Sequence, residues 1–312
     1  MMPFVAQPNR PNLCGARAYW LMIGGLLLCW VSLAQAQPPT GAQPLSDSNV
    51  VLWANPNGRG RYELALLRAI LKRTAANHPA YTLSLNSTPL GSSRGRQGVA
   101  DGLIANVYVS ALRQDHYTRE KKLLLVRQPI ANGLLGYRAA VILPQNRERY
   151  KHSTAQHKLR NLTIGQGRNW QDANILRHNH FTVDDSGWFE NLFDMLVYQR
   201  FDAVFLGLLE VAQEVAASPL QEQLSIAYQP IIYYPLAMVF QVSGHNPKLA
   251  QRIEKGLEQV INDGTRDQLL EQHFGDAIQR IRNPNAQILV LEHPNATLMP
   301  DLIKPQLGAR PR

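Results

Sequence analysis

Between Leu162 and Glu210 the apolar and polar positions fall into short blocks that read strand, turn, helix, strand, helix, strand. The apolar run Leu162, Thr163, Ile164 empties into Gly165-Gln166-Gly167, and the strand-like Phe201-Asp202-Ala203-Val204-Phe205 ends close to another glycine, Gly207. Parallel strands joined in this way set their carboxyl ends and the helix N-termini on one edge, where open α/β sheets bind small molecules.

The same grammar runs through the rest of the chain. Val50 to Ala54 reads as a strand, and Arg61 to Arg73 places Leu64, Leu67, Ile70 and Leu71 on one helical face. Tyr81 to Leu85 and Leu103 to Val109 read as further strands, so a mostly parallel sheet covered by helices is expected. Leu123 to Val126, followed by Gln128-Pro129, leads into the strand-like Gly133 to Ile142, and a proline with two glycines there suits a chain crossing between lobes. After Pro235 comes the strand Leu236 to Val242. Asn246-Pro247 then opens a helix with Leu249, Ile253, Leu257, Val260 and Ile261 apolar. Asp263-Gly264 stops it, and Thr265 caps another helix ending near Phe274-Gly275.

These elements predict an α/β chain of two lobes, each with a mostly parallel sheet, joined by a two-strand hinge. Residues 50–135 plus 237–282 form the first lobe and 136–236 the second. Residues 37–49 read as a flexible lead-in, and 283–312, with five prolines, as a loosely held tail.

The first 36 residues change the picture of where the chain works. Arg10 and Arg17, an apolar segment from Tyr19 to Leu33 and the triplet Ala34-Gln35-Ala36 read as a cleavable secretory leader, cut before Gln37. Both cysteines, Cys14 and Cys29, lie in that leader, and Leu28 before Cys29 weighs against lipidation. The mature chain would then have no thiol for a disulfide, a metal or a nucleophile, which suits a bacterial periplasm. Losing the two leader arginines takes the formal charge from +9 to about +7. The basic residues are scattered rather than arranged in a stripe with aromatics, which argues against nucleic acid as a partner.

Several strings, in this order, resemble family 3 of the bacterial extracellular solute-binding proteins: Thr118-Arg119-Glu120-Lys121, Ile164-Gly165-Gln166-Gly167, Arg200-Phe201-Asp202-Ala203-Val204, and Asn262-Asp263-Gly264-Thr265 through His273-Phe274-Gly275. Gly133 to Arg138, Trp170 with Asp172, and Glu210 resemble a divergent branch of it. The resemblance implies a type II periplasmic binding fold that closes over a solute. It also implies an ABC importer permease or a membrane sensor as partner, a monomer, and no cofactor. It makes Arg119 the clamp for a solute carboxylate, while the acid expected for an amino group falls at Gly207.

The candidate ligand-binding residues are therefore Arg119, for its two-pronged fork of donors; Gly165, Gln166 and Gly167, for backbone N–H groups at a helix start; Trp170 and Tyr62, for stacking; and Arg138 and Glu210, as cleft charges. Trp53 reads as core. His178 and His180, without a third ligand, read as a solvated pair rather than a metal site. The principal expectation is a binding protein for a small polar or anionic solute, an amino-acid-like one included. Two alternatives stand beside it: a dehydratase-like enzyme on the same fold, using Glu210, Asp184 or Asp185 as acid, and an interaction protein whose cleft has decayed.

Overall fold

The computed structural model describes residues 43–56, 58–112, 122–151 and 156–295. The leader and Arg119 lie outside the described residues. In chain order the elements are β1 (Asn49–Trp53), α1 (Gly60–Arg73), β2 (Thr82–Asn86), α2 (Ser92–Ala100), β3 (Val107–Ala111), β4 (Leu123–Leu125), β5 (Tyr137–Ile142), α3 (Arg147–Lys151), α4 (Gln156–Leu159), β6 (Thr163–Gly165), α5 (Gln171–His178), β7 (Thr182–Asp184), α6 (Leu192–Val197), β8 (Ala203–Gly207), α7 (Val211–Ala217), β9 (Ser225–Tyr233), β10 (Met238–Ser243), α8 (Pro247–Asn262), α9 (Thr265–Arg282) and β11 (Ile288–Val290).

The strands form two sheets, ordered β2-β1-β3-β10-β4 and β11-β9-β5-β8-β6-β7. Each is mixed. In the first, β1 runs parallel to β2 and β3 while β10 is antiparallel to β3 and β4. In the second, β6 is parallel to β7 and β8 while β5 is antiparallel to β8 and β9. The antiparallel pairs arise where the chain passes between sheets, because β5 and β10 are each the first strand after a crossing and enter against the local direction.

The crossing segments, 126–136 and 234–237, stay side by side. Val126 N–H donates to the Phe240 carbonyl at 3.0 Å, Ile130 N–H to Met238 at 2.9 Å, and Tyr234 N–H to Gly136 at 3.2 Å. Only glycine fits at 136, where a Cβ would lie 2.3 Å from the Tyr234 carbonyl oxygen. This is the paired crossover on which two α/β lobes can swing.

Helix α1 packs on α8 and α9. Its buried side chains include Tyr62, Glu63, Leu66, Leu67, Ile70 and Leu71, so the apolar face carries one acid, Glu63.

The helix begun at Thr265 breaks at Phe274, where the dihedrals are non-helical (φ −133°, ψ 22°), and a further helical stretch carries α9 on to Arg282. Two expectations change. The lead-in is tied down from Leu45 onward: Leu45 N–H bonds to the Gly102 carbonyl at 2.9 Å, and Asn246 Nδ2 bonds to the Leu45 carbonyl at 2.8 Å. The tail adds β11 to the second sheet, parallel to β9, with Ile288, Leu289 and Val290 opposite Ile231, Ile232 and Tyr233. Buried Asn179 fixes it by donating to the Glu292 carbonyl at 2.7 Å and accepting from Glu292 N–H at 3.0 Å. Prolines flank this strand rather than interrupt it, which is why composition alone suggested looseness.

Candidate functional site

Two groups of charged side chains meet where β1, β6 and β8 end. The first is centred on Arg138, buried in β5 and opposite Gly207 of β8. Its Nη2 reaches Asp172 Oδ1 at 2.8 Å, and its Nε donates toward the same oxygen at 3.0 Å and toward Tyr234 Oη at 2.9 Å. Tyr234 in turn donates its hydroxyl to Asp172 Oδ1 at 2.5 Å. Arg138 Nη1 donates to the Leu135 carbonyl, and the guanidinium lies 5.0 Å from the centre of the Tyr234 ring.

Burial opposes the Arg138 charge, but Tyr234, Asp172 and Glu210 outweigh it and hold the group above the ordinary guanidinium range. Burial keeps the Tyr234 phenol protonated well above its usual range. Asp172 sits in the first turn of α5, where the helix dipole favours an anion. This knot joins both crossing segments to a helix of the second sheet, through Leu135, Arg138 and Tyr234.

The second group spans the two sheets' layers. Arg59 precedes α1, just after the tight Gly58 turn (φ +63°). Its Nε lies 3.2 Å from Glu210 Oε2 and 3.7 Å from Glu63 Oε1. Glu210 follows β8 as the N-cap of α7, and its carboxylate folds back over Gly207: a Cβ at 207 would stand 2.7 Å from Glu210 Oε1. The acid missing at 207 is thus replaced in space by one from three residues on.

Glu63 is only 3% exposed, and its Oε1 accepts no hydrogen bond. Burial pushes its carboxyl up to about 7; Arg59 opposes that rise and Glu210 adds to it. Glu214 is also raised, by burial and then by Glu210. For Arg59, burial disfavours the charge, but Glu210 and Glu63 overcome it and leave the guanidinium above its ordinary range. Three carboxyl groups therefore share the neighbourhood of Arg59, and two of them resist ionising, first because burial strips them of water and then because Glu210 repels a further negative charge.

Arg138 and Glu210 of the sequence candidates enter this constellation. Others differ from expectation. The Gly165-Gln166-Gly167 turn does not hold Gln166 N–H open for an anion, because β7 runs alongside and the Asp184 carbonyl accepts it at 2.9 Å. The Gln166 side chain is buried and donates to the Phe205 carbonyl at 3.1 Å. The glycines serve close packing: a Cβ at Gly165 would meet the Phe201 ring at 2.4 Å, and one at Gly167 the Trp170 indole at 2.4 Å. Trp170 lies 5.8 Å from Phe189, centre to centre, and packs on the core. Tyr62 is fully buried, with its hydroxyl on the Ile130 carbonyl and its ring 5.2 Å from that of Phe274, so no face is left for stacking. Trp53 packs 6.0 Å from Tyr108.

Asp184 accepts from Ser186, and Asp185 pairs with Arg177 at 2.6 Å. Among the described residues no three His, Cys, Asp or Glu side chains are placed to hold a metal. Arg59, Glu63 and Tyr234 escaped the sequence reading. A signal for Glu63 was present, since an acid at position 63 falls on the buried stripe with Leu66, Leu67 and Ile70.

No protein-family model matches the chain, and no curated protein matches it either. Solved structures do. An ancestral arginine-binding protein bound to glutamine aligns with a TM-score of 0.53 at 17% identity, covering 73% of this chain and 98% of that one. An amino acid ABC transporter substrate-binding protein from Streptococcus pneumoniae, bound to L-arginine, gives 0.51 at 11%, covering 72% and 93%. A periplasmic binding protein of Salmonella typhimurium, described for high arginine specificity, gives 0.51 at 14%, covering 72% and 99%. At such identities the likeness is one of architecture: this chain has the two-lobed α/β fold of the amino-acid substrate-binding proteins.

Proposed function

We propose that this chain is an exported, monomeric solute-binding protein of the periplasm that captures a small polar, amino-acid-like solute between its lobes. It would deliver the solute to an ABC importer permease or present the occupied state to a membrane sensor. The observation that carries this reading is the Arg59–Glu210 pair, a 3.2 Å contact between the loop that leaves β1 and the turn that leaves β8. Opposed charges at the carboxyl ends of strands from two different sheets are what a solute-gripping cleft requires.

Three carboxyl groups, Glu63, Glu210 and Glu214, gathered around Arg59 favour a solute with a cationic group at this end. On the resemblance, Arg119 would take a solute carboxylate. The solved structures of this architecture name arginine or glutamine as their ligands, which supports the class without fixing the member.

The test is calorimetric titration of the chain from Gln37 onward with the standard amino acids, polyamines and dicarboxylates, together with mass spectrometry of ligand carried through purification. A saturable 1:1 heat with one of the first two sets is expected. Folded protein that binds nothing in any set at millimolar concentration overturns the proposal.

A further inference from the structure

We propose that Arg59 is an internal stand-in for the solute's positive group: its guanidinium occupies the position between Glu63 and Glu210 that a guanidinium or ammonium ion would otherwise fill. This rests on the solute-binding reading and adds to it a built-in competitor and the chemistry that displaces it.

Four features of the site carry the inference. Arg59 is shared rather than committed, with Nε 3.2 Å from Glu210 on one side and 3.7 Å from Glu63 on the other. Arg138, by contrast, puts two donors, Nε and Nη2, on a single acid, both reaching Asp172 Oδ1. Next, Glu63 is buried with an oxygen that accepts no hydrogen bond, although it lies beside the cation and could accept from a second donor.

The pair is also reachable from solvent. The side chains of Arg59 and Glu210 keep 26% and 24% exposure, whereas Arg138 keeps 5%. Finally, Gly207 lets the Glu210 carboxylate fold over the strand end, with the Cβ position 2.7 Å from Oε1, so the acid reaches the site from the N-cap of α7 and not from β8 itself.

Gly58 has φ +63°, and its Cβ position lies 3.4 Å from Gln213 Oε1 and 3.8 Å from Glu210 Cβ, so the loops of the two sheets touch here. With Arg59 withdrawn, Glu63 and Glu210 would face a position without its cation. Arg138 adds like-charge repulsion on Arg59, which lowers the cost of release.

The experiment uses guanidinium chloride at low millimolar concentration as the probe, on the mature wild type, Arg59→Ala, Arg59→Gln and the double variant Arg59→Ala with Glu210→Gln. Binding is followed by ligand-observed NMR and by the shift in Tm. Either Arg59 variant is expected to bind guanidinium about tenfold more tightly than wild type and to gain Tm with it, and the double variant is expected to lose both effects. Arg59→Gln keeps the question answerable if Arg59→Ala fails to fold.

Guanidinium affinity in the folded Arg59 variants equal to wild type, or a gain that survives Glu210→Gln, overturns the proposal. The outcome separates from the solute-binding reading. A guanidinium gain with no amino acid or polyamine bound by any variant upholds the stand-in and removes the solute. A solute bound equally by wild type and both Arg59 variants, without a guanidinium gain, removes the stand-in alone.

Discussion

The two arginines at the strand ends lie near enough for their charges to repel, yet their surroundings contrast. Arg138 is buried, doubly bonded to Asp172, bonded to Tyr234, and tied to the Leu135 carbonyl, so its charge is fully answered inside one knot. Arg59 is partly exposed, divided between two acids, and faces a Glu63 oxygen without a hydrogen bond. A saturated polar network fixes geometry; an under-satisfied one is where a ligand has something to gain. By that criterion Arg138, a sequence candidate for ligand contact, is the positioning residue of the crossing segments. Arg59, absent from the candidates, is the one with chemistry to spare.

The largest effect should come from breaking the saturated side. Arg138→Met leaves the largely covered Asp172 with only Tyr234 and costs about 3 kcal/mol, the low end of the usual penalty for stranding one partner of a buried pair. Urea unfolding should show the midpoint falling accordingly. A loss below about 1 kcal/mol would mean that the knot is solvated and the contrast with Arg59 is false.

The next effect comes from Glu63 and is read against pH. Its carboxyl is raised from 4.5 to about 7, so between those values the folded state keeps a proton that the unfolded chain gives up. Stability from this group is full below about 4.5, falls as pH rises, and levels off above 7, with a total of about 3 kcal/mol. Glu63→Gln stays neutral throughout. The variant should therefore gain on wild type as pH goes from 5 to 8, in paired Tm measurements. A constant difference across that range would place Glu63 in full register with Arg59, and the site would have no unmet charge.

A smaller effect tests how far the tail belongs to the fold, and with it what the sequence concealed. Asn179→Ala removes the bonds that hold Glu292 and should cost about 1–2 kcal/mol, with faster amide exchange confined to 288–291. The strand was hidden because a three-residue element among prolines has no period to read, and its partner β9 lies more than fifty residues earlier. The longer elements were plain: Arg61 to Arg73 and Leu236 to Val242 have enough apolar repeats to declare helix and strand, and α1 and β10 occupy nearly those positions. The site was legible only in part. Arg138 and Glu210 stand at strand ends where α/β sheets place ligands, but nothing local in Pro56-Asn57-Gly58-Arg59-Gly60 announces a carboxylate about 150 residues away. Gln166 misled for the converse reason, since its backbone donor is consumed by Asp184 on a neighbouring strand that the turn itself does not specify.

The smallest change in stability should accompany the sharpest change in the comparison. Gly207→Ala puts a methyl group 2.7 Å from Glu210 Oε1, 3.2 Å from its Cδ and 3.4 Å from its Cγ. Those atoms are the far end of a side chain, so the carboxylate swings away rather than the backbone shifting. Alanine's lower unfolded-state entropy offsets part of the lost ion pair, and the net change should stay within about 1 kcal/mol. Arg59 would then keep Glu63 alone as partner, and the Glu63 carboxyl should fall below its present value of about 7 because Glu210 no longer adds to the rise and the guanidinium is undivided. Carboxyl carbon NMR titration reads that value directly. A Glu63 titration unmoved by Gly207→Ala would show that Glu210 and Glu63 do not share Arg59, and the contrast between a divided and a committed arginine would fail at its centre.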